Sequence, residues 1–215
     1  MKNSNKSIIG VIGASVVMAV GVMFYDQAPL DVNSNQLQVL VVHCDASPEG
    51  RDVKASQIAS FHTRPKSQGG RGWKKPGYND FIERDGNVVN LISYNNDAVV
   101  QYSEIANGAF GYNRIARHVC YAGGMDSAYK RPKYTLTNSQ DSALRVYVQT
   151  YISNYPNARV AGHNQFANTA CPSFCVPTKL RTWGIEEKNI YKKPKLKKQD
   201  EKKFDSIVAR SLSGL

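Results

Sequence analysis

The sequence is short of acidic residues, and this shortage limits the partners that the protein can have. The 17 Asp and Glu residues are outnumbered by 28 Lys and Arg, so the net charge is +11. Such an excess favours an anionic partner, namely nucleic acid, anionic lipid or an acidic cell-wall polymer, or else it serves solubility alone. The chain has no recognised nucleic-acid motif and no internal repeat, so we expect no nucleic-acid partner.

Histidine and cysteine are also scarce, with four of each in 215 residues. The cysteines are Cys44, Cys120, Cys171 and Cys175. Four thiols allow three full disulfide pairings, and the sequence does not choose among them.

The length leaves room for one packed domain of about 150 residues with extensions at both ends.

The N-terminal region has no charge between Lys6 and Asp26. The uncharged run 7–25 can just span a bilayer, and the lysines before it favour export of the rest of the chain. No cysteine lies nearby, which excludes a lipoprotein. We predict that residues 1–27 form an uncleaved signal anchor, an N-terminal transmembrane helix that holds the protein on the inner membrane facing the periplasm. Cleavage near Ala19–Gly21 is the alternative.

Three further regions follow the predicted anchor. Residues 28–38 are polar and form a predicted linker, residues 39–185 form the folded domain, and residues 186–215 form a Lys-rich tail. The tail either contacts anionic wall polymer or lipid, or is simply solvated. Strands alternate with helices within the domain, which predicts an α/β (α+β mixed) fold with a central mixed β-sheet flanked by helices.

Apolar periodicity and turn residues place the elements of that domain. The predicted strands and helices are Val39–His43, Arg117–Ala122 and Arg159–Gly162 as strands, and Val53–His62, Ser139–Tyr155 and Pro177–Trp183 as helices. Asp52 is the expected N-cap of the first helix. Residues 78–91 form a predicted hairpin around the two-residue turn Asp85-Gly86.

Two distant segments carry the residues that suggest chemistry. His43 ends the first predicted strand, His163 follows the last one, and Cys171 comes eight residues later. Two imidazoles and a thiolate are the usual protein ligands of a catalytic zinc site, which keeps one position for water. A lone histidine at a strand end is usually structural, and Cys171 alone would be a buried thiol. The joint pattern favours a Zn²⁺ cofactor.

Six motifs occur in one order: VHCDAS at 42–47, PGYNDFI at 76–82, RDG at 84–86, GYN at 111–113, VCYAGG at 119–124 and ACPSF at 170–174. This set resembles the type 2 zinc N-acetylmuramoyl-L-alanine amidases, which include phage amidase lysozymes and peptidoglycan recognition proteins. The resemblance covers about residues 39–183. It implies a zinc site in a surface groove, and cleavage of the amide between N-acetylmuramic acid and L-alanine in peptidoglycan.

The resemblance also implies roles for single residues. It makes His43, His163 and Cys171 the zinc ligands, and it gives Tyr78 a catalytic role beside the metal. Thr169 stands where phage members carry Lys, and it is a second catalytic candidate as a neutral donor.

Other positions depart from the pattern of the resembling family or add to it. Asn79 stands where phage members often carry His, and Gly108 stands where a groove histidine is common. Asn79 and Asn113 are the predicted substrate-binding residues. His118 in its strand is predicted to be structural, and His62 to lie on the surface.

Two cysteines suggest a redox hypothesis. Cys44 adjoins His43, and Cys175 lies one turn from Cys171, so a Cys171–Cys175 disulfide would remove a zinc thiolate and silence the enzyme. The alternative makes Cys44 a core thiol beside Cys120, since both match cysteine positions of the resembling family.

The predicted function is that of an exported phage endolysin, with an N-terminus that resembles signal-anchor-release endolysins and allows release to the periplasm. One alternative is a bacterial membrane-anchored amidase that remodels the wall. Another is a non-catalytic peptidoglycan-binding module. Non-catalytic members of the resembling family typically lose the cysteine ligand, so Cys171 favours an enzyme.

Overall fold

The computed structural model describes residues 27–192. Within this range the chain forms a mixed β-sheet with helices packed on it. The predicted anchor, except for its last residue, lies outside the described residues. Most of the predicted Lys-rich tail, from residue 193 onward, also lies outside them.

The centre of the fold is a five-stranded sheet with strand order β4-β3-β5-β1-β7. The strands within the described residues are β1 Val39–Cys44, β2 Ser47–Pro48, β3 Asp80–Ile82, β4 Val88–Asn90, β5 Ala116–Tyr121, β6 Gly124–Met125 and β7 Arg159–Gly162. Strand β1 runs parallel to both β5 and β7. Strand β3 is parallel to β5 and antiparallel to β4, so the predicted mixed sheet is confirmed. Strands β2 and β6 pair separately.

Three α-helices of the described range 27–192 cover the sheet. They are α1 Ala55–Thr63, α2 Asn138–Asn154 and α3 Val176–Thr182. The hydroxyl of Thr137 caps α2 by accepting a hydrogen bond from the backbone N–H of Gln140 at 3.1 Å. The N-cap of α1 is Lys54 and not the predicted Asp52, whose carboxylate instead pairs with the Lys54 ammonium at 3.2 Å.

The predicted hairpin is present, but its turn differs from the prediction. Phe81 pairs with Val89, and the Glu83 N–H donates to the Asn87 carbonyl at 2.9 Å. The loop therefore has three residues instead of two, and it ends at Gly86 with φ of 91°. A left-handed glycine at this position closes the common three-residue hairpin loop.

Alternation along β1 decides what each face of the sheet presents. Every residue of β1 is buried. Leu40, Val42 and Cys44 join the large core cluster that includes residues of α2 and α3. The residues between them, among them His43, point to the opposite face because side chains alternate along a strand. His43 therefore faces away from α2.

The fold prediction is corrected on one point. No helix within residues 27–192 is long and apolar enough to cross a membrane. The longest of them, α2, has 17 residues and is amphipathic, with buried Leu144 and exposed Val146. The transmembrane helix that was predicted from the run 7–25 is thus no element of the described fold, and that run lies outside the described residues.

The described chain continues past residue 185, where the prediction ends the domain. Ile190 is fully buried and bridges to Val160 of β7, and the Tyr191 N–H donates to the Val160 carbonyl at 3.0 Å. Residues 186–192 thus cover the β7 edge of the sheet. At the other end, Leu37 of the predicted linker is buried in the core.

We expect two substitutions on α2 to have very different effects. Leu144→Ala removes a buried side chain from the core, so it should lower the free energy of unfolding by about 2–5 kcal/mol. Val146→Ala is the matched control, since its side chain is exposed, and it should change that energy by less than about 0.5 kcal/mol. Urea denaturation would measure both values. Equal losses would contradict the assigned helix face.

Candidate functional site

Three donor side chains meet at the carboxyl end of the central strands. His43 is the second-last residue of β1, and His163 directly follows β7. Val42 pairs with Gly162 in parallel register, so the residues that follow them, His43 and His163, lie side by side. Their ring centroids lie 4.6 Å apart.

Cys171 completes the cluster from a loop that returns to the sheet. The Cys171 carbonyl accepts a hydrogen bond from the Asn164 N–H at 2.8 Å. Its sulfur accepts one from the Cys44 N–H at 3.2 Å, which ties the loop to the end of β1. One donor atom from each of His43, His163 and Cys171 lies within 4.8 Å of the other two.

The donor set fits a tetrahedral metal ion such as zinc. The Cys171 Sγ lies 3.7 Å from the His43 Nδ1. Ligand atoms that are each about 2.0–2.3 Å from one zinc ion stand roughly 3.3–3.8 Å apart in tetrahedral geometry. Three protein donors leave a fourth position for a reactant, as catalytic zinc sites do.

Burial sets the protonation state of these donors. It lowers the pKa of His43 well below its usual value, with His118 and His163 adding to the effect. It also lowers the pKa of His163. Both imidazoles are therefore neutral near pH 7, as metal ligation requires. Burial raises the pKa of the Cys171 thiol, so a cation that binds this sulfur would have to displace its proton.

The two predicted catalytic residues border the cluster. The Tyr78 ring centroid lies 5.1 Å from that of His43. Burial of the hydroxyl raises the pKa of Tyr78 well above 10, so it stays a neutral O–H donor. The Thr169 hydroxyl accepts a hydrogen bond from the Cys171 N–H at 3.2 Å. Thr169 thus supports the ligand loop, and its own O–H remains a donor.

His62 holds Tyr78 in place, which the sequence did not suggest. It was predicted to lie on the surface, but it is buried under the loop that follows α1. Its Nδ1 accepts a hydrogen bond from the Gly77 N–H at 3.1 Å. Its ring stacks on Trp73 and meets the edge of Tyr78, with centroids 4.9 and 5.3 Å apart. The loop after α1, through Trp73 and Gly77, covers the face of α1 that carries His62.

The predicted substrate-binding residues Asn79 and Asn113 form hydrogen bonds to backbone groups of the fold. Asn79 is buried, its amide oxygen accepts from the His118 N–H at 2.9 Å, and its amide nitrogen donates to the Glu104 carbonyl at 2.8 Å. Asn79 is thus buried with both ends of its amide hydrogen-bonded to backbone, and its role in substrate binding stays a prediction. Asn113 accepts from the Ala109 N–H at 2.7 Å and closes its own loop.

Gly108 has no room for a side chain. A Cβ atom at this position would lie 2.3 Å from the Nδ1 of His118. The imidazole of His118 therefore occupies the space that a side chain at 108 would need. His118 is fully buried, and its Nδ1 lies 3.0 Å from the Nε2 of His43. The sequence placed His118 in a strand but did not link it to the candidate ligand.

The remaining cysteines lie at different distances from the cluster. All four thiols are free, and Cys44 and Cys120 are buried. Cys44 contacts the Ser173 hydroxyl, with sulfur and oxygen 3.7 Å apart, and its backbone holds Cys171. The Cys175 sulfur accepts a hydrogen bond from Thr178 at 3.2 Å. The redox hypothesis for Cys44 and Cys175 stays a prediction.

The mixed sheet and the converging donors define an α/β protein with a candidate catalytic metal centre. Comparison with known proteins assigns its family. Residues 33–174 match the family model described as N-acetylmuramoyl-L-alanine amidase. The endolysin of Enterobacteria phage K11 is 33% identical over 141 residues, which are 66% of this chain and 83% of that protein. The endolysin of Klebsiella phage KP32 is 33% identical over 150 residues, 70% of this chain and 85% of that one.

A solved structure supports the fold. The endolysin of the Thermus scotoductus bacteriophage Ph2119 superposes with a TM-score of 0.54 at 20% identity, covering 70% of this chain and 86% of that chain. The family match spans well over half of the sequence. The chain belongs to the N-acetylmuramoyl-L-alanine amidase family, and it is an amidase that degrades peptidoglycan.

We expect His62 to make the protein less stable in mild acid. Burial and Arg71 lower the pKa of His62 to about 4 from the usual 6.5. The stability that this neutral histidine contributes is complete above pH 6.5 and is lost as the pH falls toward 4. Between pH 7 and 5 the loss should be about 1–2 kcal/mol.

Urea denaturation of wild type and His62→Gln at both pH values, with a chelator present, would measure this loss. The variant should be less stable at pH 7 and should depend less on pH, because the other histidines contribute equally to both proteins. An unchanged pH dependence in the variant would contradict the burial of a neutral His62.

Proposed function

We propose that this amidase depends on zinc, which His43, His163 and Cys171 would bind, and that it serves as a phage endolysin. The observation that carries the zinc proposal is the convergence of two neutral imidazoles and one thiol, with donor atoms within 4.8 Å of one another. Three nitrogen and sulfur ligands with one free coordination position suit zinc better than magnesium or calcium, which prefer oxygen ligands.

Bound zinc would supply Lewis-acid chemistry, activating a water molecule and polarising the carbonyl of the amide between N-acetylmuramic acid and L-alanine. The residues around it have separate tasks. Tyr78 offers a neutral hydroxyl, which can donate a hydrogen bond to the oxyanion that develops on that carbonyl. Thr169 holds the Cys171 backbone and offers a second, weaker donor.

The relatives and the substrate support the proposed biological role. The curated relatives from phages K11 and KP32 are endolysins, and this chain covers 83% and 85% of their lengths. Peptidoglycan lies outside the cytoplasmic membrane, so the proposal includes export of the enzyme. A non-catalytic binding module is the second candidate, since the fold alone, which bumblebee PGRP-SA shares at 18% identity and a TM-score of 0.55, does not separate the two functions. The thiol of Cys171 within the donor cluster favours the enzyme.

A pair of cysteine variants tests the metal centre. Cys171→Ser should keep the fold but lose at least about 99% of the amidase activity, because a serine hydroxyl is a poor zinc ligand. Cys175→Ser is the matched control, since its sulfur lies outside the donor cluster, and it should stay near wild type. Both full-length proteins would be incubated with isolated peptidoglycan, and the products would be read by mass spectrometry.

The same assay separates the two candidate functions. Free stem peptides that begin with L-alanine, lost with a zinc chelator and restored by zinc, would support the zinc amidase. Cleavage that persists in the chelator would refute zinc dependence. If wild type binds zinc and leaves peptidoglycan intact under reducing conditions as well, the binding module would be the better assignment.

Tyr78→Phe tests the proposed hydroxyl donor. The substitution keeps the ring that packs beside His43 and His62 and removes only the O–H group. We expect kcat to fall by about 10²–10³, the usual cost of one lost oxyanion donor. Zinc affinity should stay unchanged, because Tyr78 is no ligand. Wild-type kcat in the variant would remove the hydroxyl from the mechanism.

A further inference from the structure

The unused nitrogen of the candidate ligand His43 has a specific partner. Its Nε2 lies 3.0 Å from the Nδ1 of His118, and both side chains are buried. Its Nδ1 lies on the other side of the ring, 3.7 Å from the Cys171 sulfur. The two nitrogens of His43 thus face two different groups, and only Nδ1 faces the donor cluster.

The register of the sheet brings the two histidines together. His118 on β5 pairs with Val41 of β1, and Cys120 pairs with His43. His118 and His43 therefore lie diagonally across neighbouring strands, with their side chains on one face of the sheet. At such diagonal positions Cα atoms are about 7–8 Å apart, which two imidazoles can bridge.

His118 itself is held firmly. Asn79 accepts from its backbone N–H through the side chain and donates to its carbonyl through the backbone, both at 2.9 Å. Gly108 packs on the ring so closely that an added Cβ would lie 2.3 Å from Nδ1 and 2.6 Å from Cγ. Backbone, neighbouring strands and loop therefore fix where the Nδ1 of His118 points.

This geometry limits the tautomer that His43 can adopt as a ligand. A histidine that binds metal through Nδ1 carries its proton on Nε2. That proton needs an acceptor, which in metal sites is usually a carboxylate, a backbone carbonyl or water. Here the atom in reach is the Nδ1 of a second imidazole, which accepts only if the His118 proton sits on Nε2. In the described part of the chain, that Nε2 has no hydrogen-bond partner.

We propose that His118 is a positioning residue of the metal centre, whose Nδ1 accepts the Nε2 proton of His43 and so presents the Nδ1 of His43 to zinc. Gly108 supports the same hydrogen bond, because the absence of a side chain at this position leaves space for the His118 ring. The inference rests on the proposed zinc-dependent function. It adds a residue that touches neither the metal nor the substrate.

Zinc affinity is the first readout, measured on the full-length chain by competition with a chromophoric chelator. His118→Leu removes the acceptor and should weaken Zn²⁺ binding by about 10–100-fold, the usual cost of losing such a partner. His118→Asn returns an acceptor oxygen near the place of Nδ1 and should recover most of that loss. A structural role alone would not favour Asn over Leu in this buried strand.

Gly108→Ala provides a second route that leaves His118 in the sequence. The methyl group would displace the ring and break its hydrogen bond with His43, so zinc affinity should fall as it does in His118→Leu. In the double variant the two losses should not add, because both act through one hydrogen bond. Unfolding in excess chelator would show that each variant is folded without metal, and Co²⁺ spectra would show whether the ligand geometry changes.

The outcomes separate this inference from the function on which it rests. If wild type itself fails to bind zinc, the proposed function fails and this inference falls with it. If wild type binds zinc and folded His118→Leu binds it equally well, only the inference is overturned. Additive losses in the double variant would also overturn it, because Gly108 and His118 would then act independently.

Discussion

The parallel pairing of β1 with β5 and β7 is the constraint on which the site depends. It carries the carboxyl ends of three strands to one edge, where His43 and His163 become neighbours. Burial on both faces of β1 fixes this register, because a slip by one residue would exchange the apolar and the histidine-bearing faces. Cys171 then needs only one loop, pinned at Cys44 and Asn164, to complete the donor set.

The candidate metal ligands and Tyr78 are held by residues that are themselves fixed by hydrogen bonds to the backbone. Asn79 fixes the strand at His118, His118 contacts the far nitrogen of His43, and His62 holds the loop that presents Tyr78. Burial keeps the imidazoles neutral and the cysteine protonated in the absence of a cation. The arrangement is thus ready for a metal that binds through nitrogen and displaces a thiol proton.

Much of this could be predicted from local sequence. The β-branched run at 39–43, the long periodic segment at 139–155 and the short run at 159–162 all became the expected elements. The predicted Asp52 cap and the two-residue turn were wrong only by a residue or two, whereas the positions of two polar side chains depended on contacts distant in sequence. His62 was expected on the surface, and only the returning loop with Trp73 and Gly77 buries it. Asn79 was predicted to bind substrate, and the structure shows it buried with its amide bonded to the backbone of His118 and Glu104.

The sequence by itself determined the chemistry of the donors and the elements that carry them, because residue type and apolar periodicity are local properties. It thereby determined the family as well, through motifs that keep a fixed order along the chain. Only the tertiary structure decided which nitrogen of His43 faces the cluster, and why residue 108 is a glycine. Those properties arise from strand register and from contacts a few ångströms long between residues 10 to 75 positions apart. No local pattern encodes such contacts.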